Sequence, residues 1–204
     1  MNVKKQPYSI AAVILAAGQG SRFGSQKMLH LYNGKTLLEH SLAAIDRQVF
    51  SSINIVCGSD AEQVIQQHQS VDCHCIINKQ WQSGMGTSIA AAMDYFEKNQ
   101  LEKNQPIIDA VLIILGDQIH IDSNALNTMA ATATENPNNI VCAKYNNING
   151  APAIFPAQYF NQLKNLPANN GAKTLLNAPD TPCISIELLE AGLDIDYPED
   201  LQAD

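Results

Sequence analysis

Charge is scarce in this chain. Of its 204 residues only 16% are Asp, Glu, Lys or Arg, and 20 acids against 12 bases give a formal net charge of -8. Lysine- and arginine-rich runs are lacking, which excludes the basic surface that a nucleic-acid backbone or an anionic membrane requires. An acidic protein can still handle phosphate, because only a few cations need to converge locally. Aromatic residues make up 6%, with Trp81 the single tryptophan. No apolar run approaches the roughly 20 residues of a membrane-spanning helix. Low-complexity tracts and internal repeats are lacking too. The five cysteines, Cys57, Cys73, Cys75, Cys142 and Cys183, are odd in number and irregularly spaced. That argues against a disulfide framework and fits a reducing cytoplasm. Cys73-His74-Cys75 could be half of a metal site, but no second ligand pair at zinc-site spacing accompanies it. The plainer reading puts both thiols on one face of a strand and His74 on the other.

What is present is a globular balance, 46% hydrophobic, over the length of one ordinary domain spanning 1–204. Lys4 and Lys5 before the apolar run Ile10–Ala17 resemble a short export signal. The glycine-rich basic loop that follows makes sense only if retained, which favours a buried first strand.

Apolar runs then alternate with helical patterns. Ile10–Ala16, Ile53–Cys57, Cys73–Ile77 and Ala110–Leu115 read as strands. Thr36–Val49 carries Leu38, Leu42, Ile45 and Val49 on one helical stripe. Ala61–His68, capped by Asp60, and Thr87–Glu97 also read as helices, and Asp122 or Ser123 opens another through Ala133. Later the pattern is less regular. Short strands at Ile140–Lys144 and Ala153–Phe155 flank the polar turn 146–150. A helix from Pro156 to Leu166, a helical piece at Ala172–Asn177, a strand at Ile184–Glu187 and a terminal helix from Pro198 follow. This alternation predicts an α/β fold: a Rossmann-like, mostly parallel sheet with helices on both faces. Right-handed crossovers bring the strand C-termini to one edge, where ligands bind in such folds. The loops expected there are 17–27, 57–60, 78–88 and 116–122, with the late third as a flap beside them.

The first of these loops reads Ala17-Gly18-Gln19-Gly20-Ser21-Arg22-Phe23-Gly24-Ser25-Gln26-Lys27. Its glycines let the backbone approach a ligand, and its N–H groups can cradle anionic oxygens. Arg22 offers a planar fork for phosphate and Lys27 a mobile point charge. Ala16 and Ala17 are small enough for a base or ribose to lie against them. A P-loop would need Gly-x4-Gly-Lys-Ser/Thr, which is absent. A dinucleotide fingerprint would need its third glycine one residue earlier. A purely structural turn with solvated basic residues is the remaining alternative.

The segment Leu15-Ala-Ala-Gly-x-Gly-x-Arg-x-Gly-x-x-Lys27 resembles the signature of nucleotidyltransferases related to molybdenum cofactor cytidylyltransferase, the MobA-related NTP transferases. Four further segments fit in order: Gly84-Met-Gly-Thr-Ser88, Gly116-Asp-Gln118, Gly150-Ala-Pro152 with Phe155-Pro156, and Asp194-Ile-Asp-Tyr-Pro-Glu-Asp-Leu201. The resemblance implies one nucleotidyltransferase domain, with 1–135 as its nucleotide-binding part and 136–204 as its acceptor-side part. It implies Mg²⁺-dependent transfer of CMP from CTP to a molybdopterin-type cofactor, in the cytoplasm, with delivery of the product to a molybdenum enzyme. By the same resemblance Gly18, Gly20, Arg22 and Lys27 hold the triphosphate. Asp117 and Asp196 ligate the metal, and Gly84 and Ser88 lie near base and ribose. Arg22, Lys27 and Asp117 are the residues expected to act on the reacting phosphates. Ala17 agrees with the cytidylyl branch. Ile119, Ala151, the segment Asn169-Asn-Gly-Ala-Lys173 and Tyr197 depart from the family pattern, all on or near the acceptor side. Other acceptors therefore stay open, a sugar or alditol phosphate among them, as does a non-catalytic role in cofactor delivery. The histidines show no zinc spacing, and His120 and Trp81 are candidates for ligand contact.

Overall fold

The computed structural model describes residues 7–18, 20, 23, 26–68, 71–101 and 107–202. Its centre is strand β1 (Ile10–Ala16), buried along its whole length. β1 pairs in parallel with β4 (Ser52–Cys57) on one side and β6 (Ala110–Leu115) on the other. β5 (His74–Ile77) extends the sheet in parallel beyond β4. On the far side β8 (Ile148–Pro156) runs antiparallel to both β6 and β7 (Ile140–Tyr145), and β9 (Cys183–Glu187) closes the edge in parallel with β7. The seven-stranded order is β5-β4-β1-β6-β8-β7-β9. A small two-stranded ribbon, β2 (Leu31–Tyr32) with β3 (Lys35–Thr36), stands apart. The chain leaves β1 for one side of the sheet and later returns to its other side at β6. The loop after β1 therefore sits at the switch in strand order, where an α/β sheet opens a crevice.

Strand β1 shows why both faces must be covered. Ile10, Ala12, Ile14 and Ala16 join one core with Leu38, Ile45, Leu126 and Met129. Ala11, Val13, Leu15 and Ala17 join the opposite core with Ile89, Met93, Phe96 and Leu163. Side chains alternate across a strand, so a run apolar at every position needs helices on both sides. Those helices are α1 (Leu37–Ala43), α2 (Ala61–Gln67), α3 (Met85–Leu101), α4 (Ser123–Glu135), α5 (Phe160–Lys164) and α6 (Lys173–Leu176).

Several expectations are corrected. The helix read over Thr36–Val49 ends at Ala43. Thr36 is its cap, accepting from the Glu39 N–H while the Glu39 carboxylate accepts from the Thr36 N–H, a reciprocal box. Asp60 stands before α2 without a capping side-chain bond. Asp122, not Ser123, caps α4 by accepting from the Ala125 N–H at 2.8 Å. Pro156 ends β8 instead of opening a helix; a 3-10 turn at Ala157–Tyr159 leads into α5. The terminal helix is a 3-10 turn, Pro198–Gln202. The late third is no flap, since β7, β8 and β9 complete the central sheet. Asn146 and Asn147, both at positive φ (50° and 60°), close the β7–β8 hairpin as asparagine pairs do in tight turns. Cys73 and Cys75 pack on one core face, and His74 turns to the other beside Tyr95.

Candidate active site

A cavity of about 450 Å³ opens at the carboxyl ends of β1 and β6. Its wall on the β1 side is Ala16, Ala17, Gly18 and Gly20. Gly20 adopts φ 57°, and its carbonyl accepts the Phe23 N–H at 2.8 Å, so the loop folds back sharply after it. Lys27 follows in a 3-10 turn, Lys27–Leu29, that buries its stem; the residue is only 7% exposed. Burying a lysine needs compensation, and two carboxylates supply it. Lys27 Nζ donates to Asp117 Oδ2 at 2.6 Å and reaches Asp196 Oδ1 at 3.5 Å. These partners lie 90 and 169 residues away in the chain.

Asp117 is set rigidly because it follows the buried strand β6 and the tight Gly116. A Cβ at Gly116 would sit 2.6 Å from Met28 Sδ, beside the Lys27 turn. The next residue, Gln118, is fully buried. Its amide donates to the carbonyls of Ala151 (3.0 Å) and Ala191 (2.8 Å), and its oxygen accepts from the Leu115 N–H at 3.3 Å. One side chain thus ties the Asp117 turn to the cis Ala151-Pro152 bend and to the segment before Asp196. The Ile195 N–H adds a bond to the Asp117 carbonyl at 3.3 Å. Asp200 caps the terminal turn by accepting from the backbone N–H of Asp196 (2.8 Å) and Tyr197 (2.7 Å). The acidic run is therefore divided in labour. Asp196 faces Lys27, Asp200 holds the backbone, and Asp194 lies close enough to feel the charges of Asp117 and Asp196.

Asp194 belongs to the acidic motif of the sequence, which assigned it no role of its own. Loss of hydration on its inner side, then the charges of Asp117 and Asp196, push its carboxyl up to about 6, against the pull of Lys27 and Gln118. The acidic spacing Asp194-Ile-Asp196 was the available signal, but the run gave no sign which members point inward.

The opposite wall comes from the segment before α3. Trp81, Gln82, Gly84, Met85 and Ser88 line it. Asn78 bonds Thr87 and Ser88 through its side-chain amide at 2.9 and 3.0 Å, fixing this wall to β5. Gly84, at φ 119°, and Gly86 are pressed against the Pro167–Asn170 loop. Added Cβ atoms would lie 2.6 Å from the Ala168 oxygen and 2.2 Å from the Pro167 oxygen. The loop at 57–60 does not line the cavity. Gly58 packs under it instead, with its Cβ position 2.2 Å from the Ala17 carbonyl.

Ala16, Ala17, Gly18, Gly20, Lys27, Gly84, Ser88, Asp117 and Asp196 all border this one cavity. Arg22 lies outside the described residues. His120 is exposed and does not border it; Trp81 does.

The donor set suits a hard divalent cation. Asp117 Oδ1 is buried and accepts from no group, and buried acceptors are normally satisfied. Asp117 and Asp196 share one ammonium, so their oxygens are near neighbours. Among the described residues no three His, Cys, Asp or Glu side chains form a complete cage. Magnesium-like ions bind in this way, through one or two carboxylates, water and substrate phosphates.

Residues 12–190 match the MobA-like NTP transferase domain. The chain belongs to the MobA-like NTP transferase family. GlmU, a bifunctional protein of Francisella tularensis subsp. novicida, is 29% identical over 147 residues, 71% of this chain and 30% of GlmU. The chain thus spans under a third of the length of the curated relatives it matches. In fold, this NTP transferase is similar to Rv0371c from Mycobacterium tuberculosis in complex with manganese (TM-score 0.74, 22% identity, 95% of this chain and 96% of that one). It is similar also to molybdopterin-guanine dinucleotide biosynthesis protein A from Archaeoglobus fulgidus (TM-score 0.68, 17% identity, 94% and 95%). The expected α/β nucleotidyltransferase architecture is thereby established, and no described helix is long and apolar enough to cross a membrane.

Proposed function

We propose that this nucleotidyltransferase transfers CMP from CTP to a molybdopterin-type cofactor and releases pyrophosphate. The observation that carries the reading is Lys27, buried between Asp117 and Asp196 at the floor of a glycine-walled cavity. An acceptor phosphate oxygen attacks the α-phosphorus in line, and pyrophosphate leaves. The acceptor phosphate is already ionised at neutral pH, so no protein nucleophile or strong base is needed. The barrier is orientation and anionic repulsion. Asp117 and Asp196 would hold Mg²⁺, which supplies charge neutralisation on the phosphates when bound. An ammonium has three donors; two of those on Lys27 go to the carboxylates, which leaves one for a phosphate oxygen. The N–H groups around Gly18 and Gly20 cradle the triphosphate, and Arg22 serves its oxygens from the same loop. Gly84 and Ser88 flank base and ribose, with Ala17 against the cytosine. Delivery of the product to a molybdenum enzyme in the cytoplasm follows from the same reading.

The test is pyrophosphate release from each NTP with Mg²⁺, with and without molybdenum cofactor. CTP with the cofactor should be the preferred pair. Asp117→Ala and Lys27→Ala should abolish turnover while the fold survives. Wild-type turnover in Asp117→Ala would refute the assigned site. A sugar or alditol phosphate is the alternative acceptor, motivated by the departures at Ile119, Ala151, Lys173 and Tyr197; turnover with such an acceptor, and none with the cofactor, would select it. Cofactor binding without pyrophosphate release from any NTP would select a delivery protein.

A further inference from the structure

A second cavity, about 140 Å³, adjoins the first and shares Leu15, Met85 and Leu115 with it. It lies between the sheet and α6, walled by Ile113, Phe155 and Leu176, and the small residues Gly150, Ala153 and Gly171 leave its volume open. Tyr145 and Lys173 are the only polar side chains among its described lining. Gly150 has no room for a side chain, since its Cβ would lie 2.2 Å from the Tyr145 hydroxyl. Tyr145 therefore packs directly over Gly150 in the cavity wall.

We propose that this cavity seats the part of the acceptor next to its phosphate, and that this part is a compact ring or branched group with few hydrogen-bonding atoms, not a polyol chain. The inference rests on the nucleotidyltransferase reading of the first cavity. Any acceptor must bring its phosphate to the α-phosphorus beside Lys27 and Asp117 while its remainder lies in adjoining space. The adjoining space offered here is hydrocarbon. Its size matches an apolar cavity of roughly 150 Å³ that stays dry and takes up benzene. A sugar or alditol hydroxyl buried there would find only two polar side chains, Tyr145 and Lys173. Each such unpaired hydroxyl weakens binding by about ten- to hundredfold. The cavity therefore selects against polyol phosphates by what it fails to offer.

The experiment uses methyl-labelled full-length protein titrated with benzyl phosphate or with ribitol 5-phosphate and followed by NMR. CTP binding to the same sample, with Mg²⁺, is measured by calorimetry. Benzyl phosphate should shift the Ile89, Ile113 and Leu176 methyls and bind at least about tenfold more tightly than ribitol 5-phosphate. Ala172→Leu, at the cavity rim, should remove that preference without changing CTP affinity. Ribitol 5-phosphate binding as tightly as benzyl phosphate, or silent cavity methyls in protein that binds CTP, would overturn this inference alone. Protein that is folded yet binds neither CTP nor any other NTP would overturn the nucleotidyltransferase reading, and this inference with it.

Discussion

The side-chain amide of Gln118 donates to the carbonyl of Ala191, 2.8 Å away and 73 residues later in the chain. That bond docks the last segment of the protein against the turn that carries Asp117, and so brings Asp196 to Lys27. Gln118→Leu keeps the bulk of the side chain but strands two carbonyls and one N–H. The expected loss is about 2–4 kcal/mol of stability, read from urea denaturation. NTP turnover should fall further than unfolding explains, because Asp196 loses its support. An unchanged midpoint would show that the amide is not the clasp.

Lys27→Met should expose the repulsion that the ammonium neutralises. With the Lys27 ammonium gone, a divalent cation gains weight as a counter-charge to Asp117 and Asp196. Thermal melts should show a larger stabilisation by Mg²⁺ or Mn²⁺ in the variant than in the parent, while turnover drops by about a hundredfold or more. Equal metal-induced shifts in the two proteins would argue that the carboxylates do not form the metal site.

The glycines facing the Pro167–Asn170 loop should tolerate nothing larger. Gly86→Ala places a methyl 2.2 Å from a backbone oxygen, which forces the loop away from the start of α3. Destabilisation of about 1–3 kcal/mol is expected, together with weaker NTP binding by calorimetry. Gly18→Ala meets nothing within 4 Å and serves as the control for folding.

Acid should weaken the first helix. The Thr36 N–H holds the Glu39 carboxyl below its usual range, ahead of the opposing effect of burial. A carboxyl whose folded value is depressed contributes stability above its unfolded value of 4.5, and that contribution fades as pH falls through the folded value. Glu39→Gln should therefore flatten part of the stability loss below about pH 4.5 while changing little in acid itself. Thr36→Ala should cost about 0.5–2 kcal/mol near neutrality. Parallel stability–pH curves for Glu39→Gln and the parent would remove the carboxyl from this role.

Phe155 is among the largest fully buried side chains and lies on β8, beneath the second cavity. Phe155→Ala should cost about 3–5 kcal/mol in chemical denaturation. A cost below about 1 kcal/mol would mean that the sheet collapses into the space.

The parallel half of the sheet was legible in the sequence because its central strands, β1 and β6, are continuous apolar runs, and only two-sided burial makes such a run stable in water. β1 and β6 were read at their observed bounds for that reason. The first loop was legible because its glycines, Arg22 and Lys27 sit together in the chain. The later strands were read short, by one residue in β7 and β9 and by most of its first half in β8, where Asn149 and Gly150 interrupt the apolar pattern. The helix after Thr36 was overextended because Ile45 and Val49 continue the stripe, although the backbone turns at Asp46, whose carbonyl accepts the Val49 and Phe50 N–H groups.

By itself, then, the sequence determined the fold class and pointed to the loop proposed to hold phosphate, because both are local: periodicity within a strand, and residue chemistry within a dozen positions. Only the tertiary structure decided which aspartates meet Lys27, that Asp194 stands beside them, and that a hydrocarbon cavity opens next to the site. Those facts depend on contacts between segments separated by 90 to 169 residues. They are fixed by buried hydrogen bonds such as those of Gln118, whose partners are backbone carbonyls that carry no sequence signature.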